Sequence, residues 1–214
     1  MDFVPQLNCA PLSNRNGTIF NMQFESAIKR SWHNLSGSSI SDNIKVKFLG
    51  DEYMVYFKLR QVLSLPNNIP VEDHRTVLIL HYLSQKITGL PVVSGEYLSF
   101  NGLSSINSFA DVFKKRATDV ILKRYGDNIF NIFSVLHNLP AKKANRADAA
   151  IVIEAFEGVP ILIELWEADE EFGPEANILF DKTITKIFCV EDIVVLAEVV
   201  ARAVSCMNAD EIYG

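Results

Sequence analysis

Two β-branched runs, Ala149–Phe156 and Val159–Glu167, stand on either side of Glu157-Gly158, and this arrangement constrains the chain more than any other feature. Runs of this length joined by two residues, the second a glycine, pair as an antiparallel hairpin, because glycine readily takes the positive-φ conformation of a tight loop. In the second run, alternation sets Ile161, Ile163 and Leu165 on one face and Leu162, Glu164 and Trp166 on the other.

A second hairpin is written earlier. Ile44, Val46 and Phe48 alternate with Lys45 and Lys47, Gly50-Asp51 supplies a turn, and Tyr53–Leu59 returns as the partner strand. Helical spacing of Phe24, Ala27, Ile28, Trp32 and Leu35 predicts a helix over 22–35. Pro70, followed by Glu72 and Asp73, opens a second helix to about residue 87, with the acids at the positive end of its dipole. Ser94–Phe100 reads as a short strand. Ser108 stands where a cap starts a helix that Gly126 stops, and a further helix over 128–138 ends before Pro140. Asn177–Phe180 is another short strand. The last helix begins near Val190, with Cys189 in the cap position and Asp192 in the capping-box place. Residues 1–21 read as an irregular arm, 34–42 as a Ser/Gly/Asn linker and 208–214 as a tail. Strands and helices come in blocks, which predicts an α+β fold: a mostly antiparallel sheet built from hairpins, packed against about five helices, the last of them C-terminal, in one domain over 22–207.

Charge narrows the partners. The net charge is −6, whereas a protein that neutralises nucleic-acid phosphates carries a basic excess. The charge is also uneven. Glu154–Asp181 holds nine carboxylates and no Lys or Arg, and Asp111–Arg146 holds eight basic residues against three acidic ones. No apolar run reaches the ~18 residues of a membrane span, and Met-Asp-Phe-Val-Pro lacks the basic and apolar regions of a signal peptide. Cys9, Cys189 and Cys206 are odd in number and too widely spaced for a metal or redox motif. A cytoplasmic protein is expected, without nucleic-acid or membrane partners.

The chemistry-bearing candidates lie mainly after the 159–167 strand. Glu167, Asp169, Glu170 and Glu171 follow Trp166 where the chain leaves the sheet, and a turn can converge carboxylates that a straight strand would splay. Converged, they would hold a hard cation or perform acid–base chemistry with Glu96 or Asp181 opposite. Splayed, they are solvated acids or a docking surface anchored by the indole. Glu96 follows Gly95, a glycine that permits close approach of a ligand or a neighbouring strand. His74 and His81 share a helix face about 10 Å apart, too far for one metal ion, and a hydrogen-bonded core role is the first expectation for each. Lys114, Lys115 and Arg116 read as a wet surface, and Phe109, Phe113, Phe130 and Phe133 as core. No Gly-x-Ser-x-Gly elbow, phosphate-binding glycine loop or dinucleotide fingerprint is present.

His81-Tyr82-Leu83, then Gly89-Leu90-Pro91, then Ser94-Gly95-Glu96-Tyr97-Leu98-Ser99-Phe100 form one block. Trp166-Glu167-Ala168-Asp169-Glu170-Glu171-Phe172, Ile178-Leu179-Phe180-Asp181 and the Val190-Glu191-Asp192 helix start form another. Together, over roughly 22–206, they resemble domain-of-unknown-function family 3786, prokaryotic proteins typical of anaerobes. Ala168 and Gly173 stand where the family pattern has Gly and Pro. The resemblance implies no settled activity. It implies an association of some relatives with an iron–sulfur domain or with corrinoid and one-carbon metabolism, under which His81 could serve as a lone axial ligand to a tetrapyrrole. No Cys-x-x-Cys pair is present to hold a cluster. The function expected first is a non-catalytic accessory or binding module of anaerobic metabolism, acting on a protein partner or small ligand through Trp166 and the acids around it. The alternatives are a carboxylate enzyme, with or without a metal, and a corrinoid- or haem-handling accessory.

Overall fold

The 149–166 hairpin forms as its spacing dictates, and the rest of the molecule is arranged around it. The computed structural model describes residues 17–35, 42–65, 67–103 and 109–206, with no side chains described for 17–23. The expected 1–21 arm (up to residue 16), most of the 34–42 linker, the Ser108 cap and the tail lie outside the described residues.

The elements run α1 (Gly17–Leu35), β1 (Asn43–Phe48), β2 (Asp51–Tyr56), β3 (Gln61–Ser64), β4 (Ile69–Pro70), α2 (Asp73–Thr88), β5 (Tyr97–Ser99) and α3 (Phe100–Leu103). There follow α4 (Ala110–Phe113), a π turn (Lys114–Thr118) and α5 (Asp119–Tyr125), then a 3-10 helix (Ile129–His137), β6 (Ala141–Lys143), β7 (Ala149–Phe156), β8 (Val159–Trp166) and β9 (Glu175–Asp181). A second 3-10 turn (Lys182–Lys186) leads to α6 (Val190–Ser205). Two sheets form where one was expected: β1-β2-β3-β4 and β5-β9-β8-β7-β6, every pairing antiparallel. The fold is α+β with a C-terminal helix. Because α4, the π turn and α5 are continuous, the expected helix up to Tyr125 is one rod with an inserted residue, a local widening of the helical spiral.

Both long hairpins close on two-residue loops. Phe48 pairs with Asp51, so the first loop is Leu49-Gly50 and not Gly50-Asp51. Both loop residues have positive φ, +52° and +91°, as the twist of a tight hairpin asks. Leu49 is an unfavoured residue there, and its burial together with its N–H donating to the Ala155 carbonyl at 2.8 Å holds it in place. Gly158 takes φ +77° in the second loop.

An aromatic stack joins the two sheets. Phe48 of β1 lies on Phe156 of β7 (ring centroids 4.3 Å) and Phe156 on Tyr82 of α2 (4.4 Å), with Phe188 at 6.0 Å. The Tyr82 hydroxyl donates to the Glu157 carbonyl at 3.0 Å, so the polar tip of the ring is satisfied beside the β7–β8 loop. Of the expected phenylalanine set, Phe113 is core, stacked on Phe100. Phe109 and Phe133 pack against it, and Phe130 is exposed. Ile161, Ile163 and Leu165 of the larger sheet belong to one buried cluster with residues of α2, α6 and the 110–125 rod.

Candidate functional site

The acidic segment is the connection from β8 to β9. Trp166 and Glu175 are the last paired residues, and 167–174 bridge them. Asp169 organises this bridge: its N–H donates to the Phe172 carbonyl (2.9 Å), and its Oδ1 accepts from the N–H groups of Glu171 (2.8 Å) and Phe172 (2.7 Å). Those two backbone donors, Phe172 first, hold the Asp169 carboxyl below the usual range. A third tether comes from the other side of the hairpin, where Asp148 Oδ2 accepts the Glu167 N–H at 3.0 Å.

With the backbone turned inward on Asp169, the remaining side chains face outward. Residues 167–173 are all exposed, and Phe172 is 64% exposed among the acids. Trp166 is half-buried and outside the main core. Among the described residues no three His, Cys, Asp or Glu side chains are placed to hold a metal ion. Glu167, Glu170 and Glu171 are exposed along the turn, and the strand register puts Asp181, with Glu96 beside it, at the other end of β9.

Asp181 ends β9 with its side chain turned into the protein, 2% exposed. Its Oδ1 accepts from the Thr183 N–H (3.0 Å) and hydroxyl (2.7 Å), and its Oδ2 from the Ser94 hydroxyl (2.9 Å) and the Gly95 N–H (2.7 Å). Burial alone would raise its pKa. The four donors outweigh that and bring it down to about 2. A carboxylate so fully engaged is a clamp between the end of β9 and the 94–96 segment. Glu96 belongs to the same clamp: its carbonyl accepts the Lys182 N–H at 2.9 Å and its carboxylate pairs with the Lys182 ammonium. Gly95 is explained by its φ of +76° and not by a close approach, since an added Cβ would meet nothing within 4 Å.

His81 meets a partner that no local pattern announces. Its Nδ1 lies 2.6 Å from Oδ2 of Asp192, in the first turn of α6, with the imidazole 30% exposed and the carboxylate buried. A carboxylate at that position can accept an Nδ1–H, and in that tautomer Nε2 is the ring nitrogen left to meet a ligand. Oδ2 of Asp192 is thus turned to His81, and Cys189 holds the expected N-cap position of α6 without a side-chain cap hydrogen bond. Cys189 is exposed, yet partial desolvation of its thiol and then the Asp192 charge push it up to about 12, the reverse of what a nucleophile needs. Cys206, at the other end of α6, is disulfide-bonded, a link the sequence reading did not expect.

Two further buried acids escaped the sequence reading as site residues. Glu164 on β8 pairs with Arg146 Nε at 2.6 Å, and Glu198 on α6 meets Arg116 of the π turn at 3.3 Å and Arg202 at 3.1 Å. Arg116 is therefore drawn inward, away from the surface role expected for it. Lys114, its neighbour, pairs outward with Asp119. The signal for Glu164 was present, since alternation set it beside Trp166 on one strand face. Glu198 sits in an apolar helical stripe with nothing nearby in sequence to mark it.

Fold and site together define an antiparallel α+β protein with an exposed acidic turn between its last two strands. The family model "Domain of unknown function (DUF3786)" matches residues 27–203, and the chain belongs to that family. No curated protein and no solved structure matches it. No helix among the described residues is long and apolar enough to cross a membrane.

Proposed function

We propose that this chain is a non-catalytic binding module, an accessory of anaerobic metabolism in the cytoplasm, that docks a protein partner through the turn between β8 and β9. One observation carries the proposal. The turn is closed on Asp169 by its own backbone, so Phe172, Glu167, Glu170 and Glu171 are held outward beside the half-buried Trp166 before any partner arrives. A pre-ordered turn spends little ordering entropy on binding, and an exposed aromatic ringed by charge has the composition of an interface anchor. The partner surface it fits is an apolar notch with a basic rim. In titrations of candidate partners, Phe172→Ala should weaken binding about tenfold or more, and Glu170→Ala with Glu171→Ala should slow association and flatten its salt dependence. A Phe172→Ala, Trp166→Ala, Glu170→Ala variant that binds as tightly as the parent would remove the proposal. The alternative, a carboxylate enzyme, asks instead for oxygens that converge on one ion or substrate.

A second function is favoured by the His81–Asp192 pair. With Nδ1 engaged and the imidazole partly exposed, Nε2 has the chemistry of a lone axial ligand to a tetrapyrrole iron or cobalt. Haemin or hydroxocobalamin added to the protein should then give an absorbance change that His81→Ala abolishes. An identical spectrum from both proteins would count against it.

A further inference from the structure

A polar seam crosses the helical layer away from the acidic turn. Arg116 of the π turn meets buried Glu198 of α6, and Glu198 meets Arg202 one turn on. The Arg202 charge acts on His74 of α2, whose Nε2 lies 3.4 Å from Glu72 Oε2. Arg75, next along α2, donates from Nη1 to the Tyr53 hydroxyl of β2 at 3.2 Å. The seam thus links the 110–125 rod, α6, α2 and the smaller sheet. Helix α1 packs against α2, with the Phe24 ring 6.4 Å from the His74 imidazole.

His74 differs from its neighbours in the seam, because an imidazole changes charge near neutral pH while carboxylates and guanidiniums do not. Its side chain is only 12% exposed. The charged groups facing it are Glu72 at the N-cap position of α2, Asp73 and Arg75 of α2 and Arg202 of α6, and α1 faces it with the uncharged ring of Phe24. Burial is the largest influence and opposes the charged form, as do the two guanidiniums. Glu72 and Asp73 work the other way without restoring the ordinary pKa, so the packed imidazole takes up a proton less readily than one in water. By linkage, protonation favours any state in which this ring reaches solvent. α2 is fixed by Leu78–Leu80, Tyr82 and Leu83 in the core, and α6 by nearly its whole length. Among the described side chains of α1, Ser31, Trp32 and Leu35 are buried and Ile28 packs against the core, all toward its C-terminal end, while the part over His74 meets it through the Phe24 ring.

We propose that His74 is an acid-sensitive latch, and that proton uptake by its imidazole releases α1 from α2 and opens the seam to water. Because the packed pKa is lowered, the latch is complete above the ordinary histidine pKa of ~6.5 and is lost as pH falls below it. Hydrogen exchange of the α1 amides in the full chain, followed from about pH 8 to about pH 5 and corrected for intrinsic exchange, reads it directly. The expected result is a loss of protection in α1 on acidification, with α6 unchanged, and a flat α1 profile in His74→Gln. Protection of α1 that is independent of pH overturns the proposal, as does an acid loss that persists unchanged in His74→Gln. Should His74→Gln leave α1 detached at every pH, Glu72→Gln decides. Removing the nearest carboxylate lowers the packed pKa further, so the loss must run on to lower pH, and an unshifted profile overturns the latch.

Discussion

Asp181 shows how far a residue's meaning depends on what meets it. As an acid near other acids it suggested a catalytic partner. With four donors on its two oxygens it is instead a fixed anion, and its ionised state is part of the fold's stability. A carboxyl lowered to about 2 from an ordinary 3.8 contributes about 2 kcal/mol when ionised. The pKa is depressed, so this contribution is complete above about pH 4 and disappears as pH falls toward 2. Urea unfolding at stepped pH should show the parent losing stability across that window. Asp181→Asn should be less stable by about 2 kcal/mol or more at neutral pH and lose less on acidification. A variant with the parent's acid profile would mean that the clamp does not depend on the charge. Asp192 makes the same point from the other direction: position marks it as a helix-start residue, and a histidine 111 residues away pairs with it.

At the level of elements, what was legible in the sequence was whatever local physics decides. The β7–β8 hairpin, β1–β2, α2 and α6 follow from periodicity and from glycine at a turn, and each lies within a few residues of its expected bounds. β3, β4 and β6 were not legible, since two to four residues of strand carry no period and form only because a longer neighbour offers an edge. α1 begins at Gly17 and not at residue 22, where the apolar spacing starts. The π turn was invisible for a similar reason: one inserted residue leaves the helical pattern of 110–125 intact to the eye while turning Arg116 toward Glu198. In the acidic turn, the residue types were plain, but whether they converge depends on Asp169 choosing its own backbone over a ligand, a choice made by geometry after the strand ends.

The molecule as a whole raises a question that neither residues nor elements answer, namely whether two separate sheets behave as one unit. One contiguous buried cluster contains residues of both, yet the sheets share no strand, and between them runs the Leu49 N–H to Ala155 carbonyl bond. Within that cluster the Phe48–Phe156–Tyr82 stack joins the two directly, with one ring from each sheet and one from α2 face to face. Phe156 is the middle ring, and truncating it leaves a cavity at the junction instead of within either half. Phe156→Ala should cost about 3–5 kcal/mol, in the range of a buried aromatic deletion. The two tryptophans make the coupling itself visible, because Trp32 packs on Phe57 beside the smaller sheet and Trp166 ends a strand of the larger. With either Trp replaced by Phe in turn, the remaining fluorophore reports one half. In the parent the two urea transitions should coincide, as cooperative unfolding of a single unit requires. In Phe156→Ala the Trp32 transition should move to lower urea and part from that of Trp166, because the smaller sheet has less core of its own. Transitions that stay superimposed while both shift would show that the surrounding core, and not the stack, makes the chain fold as one.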